Sequence, residues 1–175
     1  MFDPTAFENM KVVIEGELYD RDLTGEIRIK DRNDIFNSAK LSRRYDITFS
    51  DLKDMKVDVW CTFILEAGLA NLAAELLPIA HSAKLAGCQI QIEFSFVHKE
   101  NISFAQTIER VLKEIWGQDR IINMMTKRAP FSEKNEVTYE AAVTFNRLIY
   151  EDQVDDLTAM VDYMIDSIAK LRAAI

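Results

Sequence analysis

Two histidines and two cysteines are the side chains of this 175-residue sequence best suited to acid–base, nucleophilic or metal chemistry. His81 falls in an Ala/Leu-rich run that predicts a helix, and His98 closes a predicted strand beside Lys99 and Glu100. A structural or catalytic metal site draws on three or four His, Cys, Asp or Glu ligands, usually at short fixed spacings. Neither histidine has a carboxylate or thiol at such a spacing, so no metal is expected. Cys61 and Cys88 each alternate with apolar residues of a predicted strand, the pattern of a buried free thiol. A Cys–His pair would need one of these thiols to meet a histidine in space. The glycines at 16, 25, 68, 87 and 117 stand too far apart to cradle a phosphate, and no G-x-S-x-G or P-loop sequence occurs. No cofactor is expected.

The carboxylates divide into two groups. Asp20 and Asp22 read as a turn, and Asp155 and Asp156 as the acidic start of a helix. Glu93 and Glu140 stand on the polar faces of two predicted strands and form a candidate acid pair if those strands are neighbours. A solvated sheet face is the preferred reading of both. Trp60 stands on such a face, in step with Asp58 and Thr62, and an aromatic on a polar surface is a typical anchor for a partner. These observations mark Trp60, Gln91, Glu93, Glu140 and Thr144 as the candidate binding surface.

The elements that must hold these residues follow from periodicity. Segment 11–19 alternates with Val12, Ile14, Gly16 and Leu18 on one side, which predicts a strand. The Asp-rich turn at 20–25 and a return strand at 26–30 complete a predicted hairpin. Segment 31–41 is open between a short helix and a loop, and 44–49 reads as a short strand. Residues 56–65 alternate as a strand, with Val57, Val59, Cys61, Phe63 and Leu65 facing one way. An Ala/Leu-rich helix follows over 66–77, and Pro78 either kinks it or opens a second helix that Gly87 stops.

Segment 88–97 has the cleanest alternation, Cys88, Ile90, Ile92, Phe94 and Phe96 against Gln89, Gln91, Glu93 and Ser95. It predicts a strand with one dry and one wet face. Asn101 or Ser103 caps a helix with the stripe Phe104, Ile108, Val111, Leu112 and Ile115, stopped by Gly117. Segment 120–126 fits strand or helix and is read as strand. The last strand is predicted over 136–150.

The strongest pattern in the chain is the last. Val154, Leu157, Val161, Met164, Ile168, Leu171 and Ile175 step by three and four, placing all of them on one face of a helix over 152–175. Such a stripe is covered either by the chain's own sheet or by a second copy, since a strict three-four repeat also suits a coiled-coil seam. The residues 154, 157, 161, 164, 168 and 171 are therefore candidate dimer contacts as well as candidate core.

The element order predicts an α+β fold, a mostly antiparallel sheet with three helices packed on one face, in a single domain over 1–175. Segment 88–175 has the order of a split β-α-β unit of ferredoxin-like type. A hydrophobic fraction of 49% with 10% aromatics is that of a folded protein with a real core. The net charge of −8 argues against nucleic acid and anionic membrane as partners, because phosphate binding needs clustered Lys and Arg. No basic-then-apolar leader opens the sequence and no apolar run is long enough to span a bilayer, so a cytoplasmic protein is expected. The functional expectation is a non-catalytic interaction or ligand-binding module that forms a homodimer and takes a protein or small ligand. The alternative is an enzyme of unfamiliar type using Glu93, Glu140 or His98 at a cleft.

Overall fold

The computed structural model describes residues 5–52, 58–76, 84–131 and 135–175. The first element is a helix, α1 (Ala6–Leu23), where alternation predicts a strand over 11–19. Two periods overlap in these residues. Ile14 and Leu18 belong both to the alternating set and to the helical stripe Phe7, Met10, Ile14, Leu18. The helical set is the one fully buried, whereas Val12 is 61% exposed. The Oγ1 of Thr5 accepts a hydrogen bond from the Glu8 amide and caps the helix start.

The first hairpin therefore joins β1 (Ile27–Asn37) to β2 (Ser42–Asp51). Segment 31–41, open in the sequence, completes β1 and its turn, where the Asn37 side chain accepts from the amides of Ala39 and Lys40. β3 (Trp60–Ala67) and the short α2 (Leu69–Leu76) follow. The continuation of the Ala-rich helix past Pro78, with His81, lies outside the described residues. Residues 84–87 form a turn.

β4 (Gln89–Lys99) leads into α3 (Ile102–Trp116), capped by the Asn101 side chain and ended by Gly117 at φ 104°. β5 (Ile121–Lys127) pairs with β6 (Glu136–Thr144). β6 stops short of the expected 150, because Arg147 N donates to Phe145 O and the chain leaves the ladder, touching the sheet again only where Cys88 pairs with Ile149. A turn of 3-10 helix at Glu151–Gln153 opens α4 (Val154–Ala174).

The fold is α+β, and its six-stranded sheet runs β1-β2-β3-β4-β6-β5 with every neighbouring pair antiparallel. Four α-helices, one more than expected, are present among the described residues. The helix layer also differs in membership. α4 lies against both α1 and α3, while α2 buries only Ala74 at the end of the sheet. One cluster of buried side chains joins α1, α3 and α4 to one face of the strands.

This layer assigns the C-terminal stripe. Leu157, Val161, Met164, Ile168 and Leu171 are all 0% exposed within the single chain, and Val154 packs at the edge of the same core. The chain's own sheet and helices cover the stripe. The five fully buried residues are not available as a seam between copies, and their assignment as dimer contacts is corrected accordingly, while Val154 is half-buried. Three-four spacing reports a single buried face and says nothing of what buries it.

Candidate functional site

The helices cover the sheet face that carries Ile47, Phe63, Ile92, Phe94 and Val143. Side chains alternating with these point to the opposite face, over which no helix lies among the described residues. Strand register arranges that open face in rows. One row runs Asn33, Asp46, Ile64, Gln91, Thr144, Ile121, and the next runs Asp31, Thr48, Thr62, Glu93, Ala142, Asn123. A further row places Ser95 between Trp60 and Glu140.

All five candidate binding residues thus share the open face, in two groups. Gln91 and Thr144 are directly opposed across β4 and β6, and Trp60 and Glu140 flank Ser95 from either side. Glu93 lies between the groups, diagonal to Glu140.

A trough crosses the face at the Gln91 end. One depression of 390 Å³ is lined by Ile64, Glu66, Gln91, Ile121, Thr144 and Arg147, among others. A second of 390 Å³ continues it over β1 and β2, past Ile35, Lys40, Arg44 and Asn71. Glu66 and Gln89 belong to both. Ile64, 3% exposed, is the apolar floor. Arg44 is the electrostatic centre, with Nε 3.0 Å from Asp46 and Nη1 2.7 Å from Glu66. The Asn33 side-chain amide donates to the other oxygen of Asp46 at 2.9 Å, and the hydroxyls of Thr48 and Thr62 meet at 2.9 Å. Arg44, Asp46 and Glu66 satisfy one another, the Thr144 hydroxyl donates to the Ile121 carbonyl at 3.3 Å, and Lys40 and Arg147 add positive charge along the lining.

Arg44, Asp46, Glu66 and Arg147 escaped the sequence reading. For Arg44 and Asp46 the signal was the polar alternation of segment 44–50, half of which belongs to the wet face once the strand has a sheet to lie in; Glu66 and Arg147 carried no such signal.

Glu93 and Glu140 do not form an isolated acid pair. Lys127 Nζ sits 2.5 Å from Glu140. Half-burial raises the Glu93 carboxyl above the ordinary carboxylate range, and the neighbouring Glu140 adds to the rise, against smaller opposing pulls from Lys127 and Arg44. The sign follows directly. A carboxyl raised in the folded state resists ionisation there, so Glu93 favours folding more as pH falls through the acid range.

Trp60 is half-buried, with the Lys30 ammonium 4.2 Å and the Arg28 guanidinium 5.8 Å from its ring. Both cations come from the β1 strand, so this aromatic also has a packing role within the chain. His98 stacks on Phe104 with ring centres 3.9 Å apart, and its Nδ1 lies 2.9 Å from the Lys99 carbonyl oxygen. It acts as a lid on the aromatic end of the core. Among the described residues no group of three or more His, Cys, Asp or Glu is placed to hold a metal ion, and no helix is long and apolar enough to cross a membrane.

Cys61 and Cys88 are both free and both 0% exposed. Burial pushes the Cys61 thiol well up and the Cys88 thiol up to about 12, with nearby Glu93 and Glu75 adding smaller rises. A thiol that is both hidden and protonated reacts slowly. Neither cysteine is expected to take up a maleimide or disulfide reagent at pH 8 until denaturant is added. Labelling within minutes in native buffer would show that β3 or the 88–149 bridge opens readily.

No protein-family model matches the chain, and none of the curated proteins or solved structures compared with it matches either.

Proposed function

We propose that this protein is a non-catalytic binding module that self-associates, and that the trough on the open sheet face receives its ligand. The observation that carries this reading is the composition of the trough. Arg44, Asp46 and Glu66 neutralise one another, and the amides of Gln89, Gln91 and Asn146 line the trough beside the Thr144 hydroxyl, with Arg147 and Lys40 as further cations. Held on rigid strands above the floor of Ile64, such groups donate and accept hydrogen bonds in fixed directions, which suits a small polar ligand. Nuclear magnetic resonance mapping of a polar fragment library tests it. Shift changes should cluster on Ile64, Gln91 and Thr144, and Thr144→Arg should abolish them. Fragments that map only to other surfaces would remove the trough as the site.

Self-association needs another surface once the α4 stripe is assigned to the core, and the β5 edge fits best. Apolar side chains surround this edge strand: Ile121 is 49% exposed, Met125 62%, Ile102 at the start of α3 79% and Phe131 95%. An unprotected apolar edge offers its main-chain groups to another strand. Pairing β5 with β5 of a second copy in antiparallel fashion buries these side chains by a two-fold axis. Sedimentation is expected to show a dimer, and Met125→Lys, at an exposed position, should yield a folded monomer. A wild-type protein that stays monomeric at high concentration would end this part of the proposal.

A further inference from the structure

A second cavity, on the helical side of the molecule, has a different chemistry. It lies between the C-terminal end of α3, the first half of α4 and the Phe145–Arg147 segment, and has a volume of 470 Å³. Small-molecule sites run from about 300 to 1,000 Å³. Its walls are aromatic. The Trp116 ring meets Phe145 edge-on at 5.9 Å and Tyr163 at 5.8 Å, with Met160 alongside. Trp116 is fixed from behind, because its indole N–H donates to Ser167 Oγ at 3.0 Å and Ser167 in turn donates to the Tyr163 carbonyl.

Four charged residues line the cavity: Glu114, Arg120, Arg147 and Asp156. Glu114, Arg147 and Asp156 are exposed at the rim. Arg147 is already engaged, donating to Gln153 Oε1 at 3.2 Å and lying 4.0 Å from Asp156. Arg120 differs. It is the half-buried cation of the group, its guanidinium lies 4.9 Å over the Phe145 ring, and its Nε is buried without a hydrogen-bond partner. A buried N–H of a cation left unmatched is costly, and the planar fork of a guanidinium matches a carboxylate.

We propose that this cavity binds an amphipathic monocarboxylate, its aromatic or aliphatic body against Trp116, Met160 and Tyr163 and its carboxylate on Arg120. The cavity shares Phe145 and Arg147 with the end of the trough, but the residues proposed to hold the ligand, Trp116, Arg120, Met160 and Tyr163, line this cavity and not the trough. Its apolar walls exclude the polar ligands suited to the trough. Its single inner cation selects for one negative charge on the ligand.

The test compares 3-phenylpropionate with its neutral analogue 3-phenylpropionamide, following the Trp116 indole N–H signal by nuclear magnetic resonance. The acid should bind saturably and shift that signal. The amide should bind about 10- to 100-fold more weakly, the range set by one hydrogen bond to a charged group. Arg120→Met should lower the affinity for the acid to that for the amide and leave the amide unchanged. Equal affinity of acid and amide in the wild-type protein would overturn the proposal, as would unchanged acid binding in Arg120→Met or no response of Trp116 to either compound. Should Arg120→Met not fold, Ala159→Trp decides. Ala159 is an exposed α4 position lining the cavity, and a bulky side chain there fills it from outside. Loss of acid binding in that variant supports the site, and retained binding overturns it.

Discussion

Val161→Lys is expected to unfold this protein. Val161 is 0% exposed at the centre of α4, with Leu157 and Met164 on the neighbouring turns and the β2–β3 part of the sheet beneath the helix. A lysine there must either carry its ammonium into an apolar site or neutralise, and both routes cost several kcal/mol. A small domain has only about 5–15 kcal/mol to lose. The variant should fail to give a cooperative urea transition and should collect as aggregate. Had the stripe been a seam between copies, the same substitution would give a folded monomer. A folded, monomeric Val161→Lys protein would therefore contradict the placement of α4 described above.

Arg172→Met has the second largest expected effect. Arg172 reaches from the last turn of α4 to Asp51 at the end of β2, and their side chains are only 12% and 2% exposed. The pair ties the far end of the helix layer to the sheet. Removing the cation alone leaves a carboxylate with almost no water around it, which costs roughly 3–5 kcal/mol. The urea midpoint should fall sharply with an unchanged slope, since the surface exposed on unfolding stays the same. The companion variant Asp51→Leu with Arg172→Met removes both charges and should recover most of the loss, because a buried ion pair and a packed apolar pair are often close in energy. A loss below about 1 kcal/mol in the single variant would show that water reaches the pair, as it does at surface bridges.

The sequence made α4 and β4 plain because each is a long run with a single period. Cys88 to Phe96 alternates without a break, and Val154 to Leu171 never leaves its stripe. Segment 11–19 misled for a physical reason. Ile14 and Leu18 satisfy both periods, and the residues that decide between them, Phe7 and Met10, lie outside the alternating run. The candidate surface was legible as a face, since Gln91, Glu93, Glu140 and Thr144 alternate with core residues. The trough was not. Its centre, Arg44 between Asp46 and Glu66, depends on the β2–β3 register, and strand alternation carries no register. The aromatic cavity was hidden likewise, because Trp116, Phe145 and Tyr163 come from three elements that meet only after packing.

The order of the helix layer bears on how the protein is made. α4 lies against α1 on one side and α3 on the other, with Arg21 of α1 held 2.8 Å from Asp162 of α4, and α4 is the last of these elements to be translated. At about 5–20 residues per second, a nascent chain carries its sheet and both outer helices for seconds before the central helix leaves the ribosome. Throughout that time the bed that receives Val161 and Met164 is bare and apolar. Cooperative closure waits for α4, so the nascent chain before it is a natural client for a holding chaperone, and a chain cut short within α4 cannot cover this core.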